Sequence, residues 1–271
     1  MESLYILSMK IQVLSLLVTT GKYTKVVEDI STLAQQGRGS YVCVANVHML
    51  AEANKDADFK EIVCNADIVT PDGMPLVWAI RLLYGIKQDR VAGMDILPAL
   101  LTKAEAHQLP VYFYGGTPGM LQLTRTSIQS QFPNLMLAGL YSPPFRELSS
   151  QEESDIIKEI NASGARMVFV ILGCPKQERW MASMKPHINA CMIGIGGALP
   201  VMVGLQRRAP LWMQRSGMEW LYRLLQEPKR LFKRYLVTNS IFLWLFLKKW
   251  ASQGFAPTRV PNHNQEDSCI S

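Results

Sequence analysis

Charge is scarce in this chain of 271 residues: 18% are Asp, Glu, Lys or Arg, against 48% hydrophobic. That balance excludes a globally disordered polymer and leaves apolar surface for a partner or a membrane. The five cysteines, Cys43, Cys64, Cys174, Cys191 and Cys269, form no CxxC pair and are odd in number. Neither a disulfide framework nor a zinc site follows from them, and buried free thiols in a reducing cytosol fit better. The apolar run IFLWLFL, 241–247, is only about a third of the roughly 20 residues that span a bilayer. The opening MESLYILSMKIQVLSLLVTT lacks the basic region and small-residue cleavage site of an export signal, and reads as a first strand and its approach. Walker A and GxGxxG loops are missing, and no internal repeat is apparent.

What is present is a basic, aromatic C-terminal part. The net charge of +6 gathers between Gln206 and Trp250, where ten Lys and Arg face only Glu219 and Glu227. Trp212, Trp220, Tyr222, Leu224, Leu225, Leu231 and Phe232 are interleaved with them. That mixture is expected of a helix lying on an anionic membrane, and it ranks a membrane surface above nucleic acid as the partner. The length suits one large domain with an appendage. The expected division is an α/β core over 1–203, a basic amphipathic appendage over 204–250 and a disordered tail over 251–271.

Strand-like runs alternate with helical stretches, the pattern of a Rossmann-like, mostly parallel sheet with flanking helices. YVCVAN, ADIVTPDG, PVYFYGG, LMLAGLYSPPF, ARMVFVILG and ACMIGIGG read as strands that exit into Gly, Pro or Asn turns. Ser149 or Ser150 reads as the N-cap of the helix that follows SPPF. A parallel sheet puts all its strand exits on one edge, where ligands of open α/β sheets bind.

Three of those exits are glycine turns: GGTPG at 115–119, with Gly115 and Gly116; GCPKQE at 173–178, with Gly173; and GIGGAL at 194–199, with Gly196 and Gly197. Glycine lets backbone N–H groups approach a phosphate, and a helix N-terminus adds a favourable dipole. Each turn alone is equally what an ordinary strand-to-helix connection needs. The DAD of 56–58 has the form of a metal-binding DxD, but its polar helical surroundings favour a solvated face, so no metal is assigned. His48 is open between an acid–base role and a structural role at a helix start. Asp72, in a Pro-Asp-Gly turn, is evenly open between a turn or cap residue and a general base whose pKa desolvation raises. Arg90, in QDRVAGMD, would return to the same edge and grip phosphate oxygens with its fork.

Taken together, PDGMPLVWA, DRVAGMDILPAL, FYGGTPG, LGCPKQERWM, IGIGGAL and RRAPLWMQRSGMEWLYRLLQEPKRLFKRYL resemble the WecG/TagA/CpsF family of bacterial glycosyltransferases, in order and spacing from about residue 10 to 236. YVCVANVHML is most similar to members acting as lipid-linked glucosyltransferases in xanthan-like exopolysaccharide synthesis. The resemblance implies an inverting, metal-independent transferase without a cofactor. It would use a UDP-sugar and a polyprenyl-diphosphate-linked acceptor at the cytoplasmic membrane face, and it leaves a homo-oligomer open. It assigns the base to Asp72 and substrate contacts to Arg90, Gln177 and Asn46. A threonine carried by many members two residues before that asparagine is Val44 here. Arg215 and Arg223 are implied as diphosphate contacts, and Lys229, Arg230, Lys233 and Arg234 as lipid contacts. Two rivals stand beside this reading: a membrane-peripheral scaffold that keeps the fold without catalysis, and a nucleotide-dependent oxidoreductase, which the missing GxGxxG disfavours.

Overall fold

The computed structural model describes residues 7–258, apart from the side chain of Arg215. The chain opens with a hairpin, β1 (Lys10–Val13) and β2 (Leu16–Thr19), turning at Leu14 with φ 56°. This pair is antiparallel and forms its own small sheet, so the N-terminal strand expected from the sequence does not extend the main one. Then follow α1 (Tyr23–Gln36), β3 (Ser40–Ala45), α2 (Val47–Lys55), α3 (Ala57–Cys64), β4 (Ile68–Pro71), α4 (Met74–Tyr84) and α5 (Gly93–Ala106). The second half runs β5 (Val111–Gly115), α6 (Pro118–Gln131), β6 (Leu137–Tyr141), α7 (Ser150–Ala162), β7 (Met167–Ile171), α8 (Lys176–Met184), β8 (Cys191–Gly194) and α9 (Ala198–Met202). It closes with α10 (Leu211–Arg215), α11 (Glu219–Gln226) and α12 (Pro228–Ser252).

Six strands form one all-parallel sheet in the order β4-β3-β8-β7-β5-β6. Both faces are covered, which is why MVFVI of β7 and VYFYG of β5 are buried at every position instead of alternating with polar residues. Successive side chains leave opposite faces. Tyr41, Cys43, Tyr112, Tyr114, Val168 and Val170 join a core with α2, α3, α4, α7 and α8. Val42, Val44, Val111, Phe113, Met167 and Phe169 join a second core with α1, α5, α6 and α9. Ser149 caps α7 in a full capping box with Glu152, which fixes the start of that helix.

This layering places the site. Strand β3 leads into α2 on one face, while its neighbour β8 leads into α9 on the other. Helices that diverge in this way open a crevice at the carboxyl ends of the two strands. The appendage α10–α12 lies over that crevice, with α12 packed along α2 and α4. Beyond α12 the chain turns back: Phe255 meets Trp250 edge-on, and the Thr258 N–H donates to the Leu83 carbonyl at 2.9 Å. Residues 259–271, the rest of the expected tail, lie outside the described residues.

Candidate active site

The crevice widens into a cavity of about 940 Å³, bounded by the exits of β3, β4, β7 and β8 and by the appendage. Asn46, Asp72, Arg90, Gly173, Gln177, Gly196, Gly197 and Arg223 all line it. These residues come from six separate stretches of sequence, and those at strand exits converge because a parallel sheet sends every exit to one edge.

Asp72 follows β4 directly. Its N–H donates to the Ala45 carbonyl at 2.8 Å, which ties the turn to β3. Its Oδ1 accepts the Gly93 N–H at 3.3 Å, at the first residue of α5. The N-cap of α4 is Gly73, so the Asp72 carboxylate is not consumed in capping its own helix and faces the cavity instead. Burial raises its pKa from 3.8 to about 6 and Glu219 pushes the same way, while Arg90, Arg223 and the Gly93 N–H oppose them. A carboxyl with this pKa is ionised at neutral pH and remains a competent proton acceptor.

Arg90 forks between two acids. Its guanidinium meets Asp95 of α5 at 3.1 Å and Glu219 of α11 at 2.5 Å, and Asp95 also holds Arg208. The network ties the appendage to the core beside Asp72. The second oxygen of Glu219 is buried and has no partner among the described residues. Glu219 is a residue that sequence reasoning passed over, having counted it only as one of two acids among ten cations.

Gln177 donates from Nε2 to Oε1 of the fully buried Glu178 at 2.7 Å. Its own Oε1 is buried, close over Gly196 and without a partner among the described residues. Burial raises the Glu178 pKa, favouring the neutral acid. A Cβ on Gly197 would lie 2.7 Å from an Arg223 nitrogen, so glycine there is what admits the guanidinium against the turn. Asn46 caps α2, its Oδ1 accepting from the N–H groups of His48 and Met49 at 3.0 and 3.2 Å. His48 lines the cavity too; burial and Arg234 lower its pKa, so the imidazole is neutral at physiological pH.

Two of the three glycine turns meet at this cavity and the third does not. Gly115 ends β5, on the far side of β7, and Gly116 follows it. There the Gly116 N–H donates to the Ile171 carbonyl and its own carbonyl accepts from Ser142. A Cβ on Gly115 would sit 2.6 Å from the Ile171 oxygen. These glycines serve a close backbone approach between strands and do not line this cavity. Arg215 ends α10, and its side chain lies outside the described residues. In the DAD stretch, Asp56 caps α3 through the Phe59 N–H and pairs with Arg179 at 2.6 Å. Among the described residues no three His, Cys, Asp or Glu gather as metal ligands.

The four cations grouped as lipid contacts separate on α12. Arg230 and Arg234 line the cavity, whereas Lys229 and Lys233 are exposed on the outside of the helix. Helical periodicity could have found that division, since residues three and four apart share a face.

The chain is similar to known proteins. The model of the glycosyl transferase WecG/TagA/CpsF family matches residues 11–255. An N-acetylglucosaminyldiphosphoundecaprenol N-acetyl-beta-D-mannosaminyltransferase of Bacillus subtilis (strain 168) is 30% identical over 230 residues, 84% of this chain and 87% of the relative. A protein of the same name from Bacillus spizizenii (strain ATCC 23059 / NRRL B-14472 / W23) is 32% identical over 202 residues, 74% of this chain and 76% of the relative.

Proposed function

Because the chain belongs to the WecG/TagA/CpsF glycosyltransferase family, we propose that it transfers a hexose or N-acetylhexosamine from a UDP-sugar to a polyprenyl-diphosphate-linked saccharide, with inversion and without a metal. The relatives' names favour the N-acetylhexosamine form of this reading, with a lipid-diphosphate N-acetylglucosamine as acceptor. The carrying observation is Asp72: a carboxylate at the strand edge, raised in pKa by burial, with Arg90 and Arg223 close enough to act on its charge.

In this mechanism Asp72 takes the proton of the acceptor hydroxyl as that oxygen attacks the anomeric carbon of the donor. The bond from that carbon to the diphosphate oxygen breaks on the opposite face, and UDP leaves with the electron pair. Without a metal, the negative charge gathering on the diphosphate is met by Arg90, Arg223 and the N–H groups of the Gly196–Gly197 turn. Preorganised donors of this kind contribute about 3–4 kcal/mol each. Arg90 exchanges its Glu219 contact for phosphate oxygens as the donor enters, and Gln177 Oε1, which lacks a partner among the described residues, accepts from a donor hydroxyl or base N–H.

The protein works as a peripheral enzyme on the inner face of the cell membrane. No helix among the described residues is long and apolar enough to cross a membrane. The outer side of α12 exposes Phe232, Leu236, Trp244 and Leu247 among Lys229, Lys233, Lys248 and Lys249, the mixture that binds an anionic interface.

The test is UDP release from UDP-GlcNAc, UDP-ManNAc and UDP-Glc, with and without a short prenyl-diphosphate N-acetylglucosamine, in the presence and absence of EDTA. Acceptor-dependent UDP release that survives EDTA is expected. No release with any donor overturns the transferase reading and favours the scaffold, and full loss in EDTA overturns metal independence.

A further inference from the structure

The cavity is polar only at one end. Along α12 the residues facing it are first Arg230 and Arg234, then Thr238 and Asn239, then Phe242 and Phe246. The spacing of three or four residues keeps them on one helix face. At 1.5 Å per residue, the passage from Arg234 to Phe246 covers about 18 Å. Opposite the apolar end stand Trp78 and Leu82 of α4, one turn apart, which line the cavity and remain 43% and 46% exposed. The walls of this arm are fixed at both ends. The Trp78 ring lies against Gly217, where a Cβ would be 2.8 Å from it and where φ is +73°, so the turn between α10 and α11 is held to α4. At the other end Phe246 contacts Trp250, Trp250 contacts Phe255, and Thr258 bonds to Leu83 at the end of α4.

We propose that this arm between α4 and α12 binds the first isoprene units of the acceptor's polyprenyl chain, with the acceptor diphosphate held at Arg230 and Arg234. The inference rests on the transferase reading and says where its lipid goes. A sugar nucleotide has no apolar tail that would fill such an arm. A prenyl diphosphate joins an anionic group to an apolar chain in the order in which α12 presents cations and then aromatic rings. Arg230 and Arg234 share one acid, Glu227, which pairs with Arg230, and among the described residues Arg234 Nε is buried without a hydrogen-bond partner. The first isoprenes would thereby leave the bilayer and enter the protein, bringing the attached saccharide down to Asp72.

The experiment is photolabelling of the full chain with a farnesyl diphosphate analogue carrying a benzophenone on its prenyl part, in detergent-free buffer, with sites mapped by mass spectrometry. Labels on Trp78–Leu82 or Phe242–Phe246, competed by farnesyl diphosphate and not by UDP, are expected. Labels confined to Phe232, Leu236, Trp244 and Leu247 on the outer face, or no specific label, overturn the proposal. Labelling needs no turnover, so its outcome is separate from that of the transferase assay. As a second measurement, soluble acceptors with one, two and three isoprene units should show KM falling about tenfold or more per unit with little change in kcat. Leu82→Glu and Phe242→Glu should flatten that dependence. Transfer with a KM indifferent to chain length in the wild type overturns the groove while leaving the transferase intact.

Discussion

Replacing Asp72 by Asn should lower turnover sharply and at the same time make the protein more stable at neutral pH. Burial raises the carboxyl pKa from 3.8 to about 6. The folded-state value therefore lies above the unfolded one, so between about pH 4 and 6 the folded chain holds more protons, and stability falls as pH rises through that window. At about 1.36 kcal/mol per pH unit, keeping this carboxylate ionised in place costs about 3 kcal/mol at pH 7. Asparagine is the neutral isostere, equivalent to an aspartic acid that never ionises. The variant should gain up to about 3 kcal/mol over wild type at pH 7 and nothing near pH 4. Loss of a positioned general base should lower kcat by about 10²- to 10⁴-fold. Urea unfolding at pH 4 and pH 7, beside UDP release at saturating substrate, measures both. A variant no more stable than wild type at pH 7, or one that keeps kcat within tenfold, refutes the argument that Asp72 is a strained, desolvated base.

Two further outcomes test the surroundings of that carboxylate. Glu219 contributes to the raised pKa of Asp72, so Glu219→Gln should move the acid limb of the kcat/KM profile below its wild-type midpoint near pH 6; an unmoved limb would show that the two carboxyls do not communicate. The glycines should divide by function: Gly115→Ala, with φ +109° and an Ile171 oxygen 2.6 Å from the new Cβ, should cost about 2 kcal/mol or more in urea unfolding. Gly197→Ala, which displaces the Arg223 guanidinium, should raise KM for the donor with less loss of stability. The reverse pattern would mean that the wrong glycine turn has been placed at the site.

Most of the secondary structure could be read from local pattern. Short apolar runs ending at Gly, Pro or Asn marked the six strands of the main sheet, because a parallel sheet covered on both faces leaves few polar positions inside a strand, here Ser40 and Thr70. Ser149 and Ser150 each have a glutamate three residues on, so a cap was recognisable there, and the fold selected Ser149. The hairpin of Lys10–Val13 and Leu16–Thr19 was not separable from the main sheet, since a strand's own sequence does not name its partner. The Pro-Asp-Gly turn announced Asp72, but turn chemistry alone could not distinguish a capping aspartate from a free one. That was decided when Gly73 took the cap position and Gly93, 21 residues on, supplied the donor.

The sequence by itself determined that this chain would form a parallel α/β layer with a basic, aromatic C-terminal helix, and it named the motifs of a transferase. Periodicity, turn preference and composition act over a few residues, and all three are written in the local order of the chain. Only the tertiary structure decided which groups share a site. Arg90 meets Glu219 across 129 positions, Gly115 is set apart from Gly196 by an intervening strand, and α12 turns Arg234 inward while Lys233 faces out. The raised pKa of Asp72 belongs to the same level, because desolvation depends on everything that packs around a carboxylate and not on its neighbours in sequence.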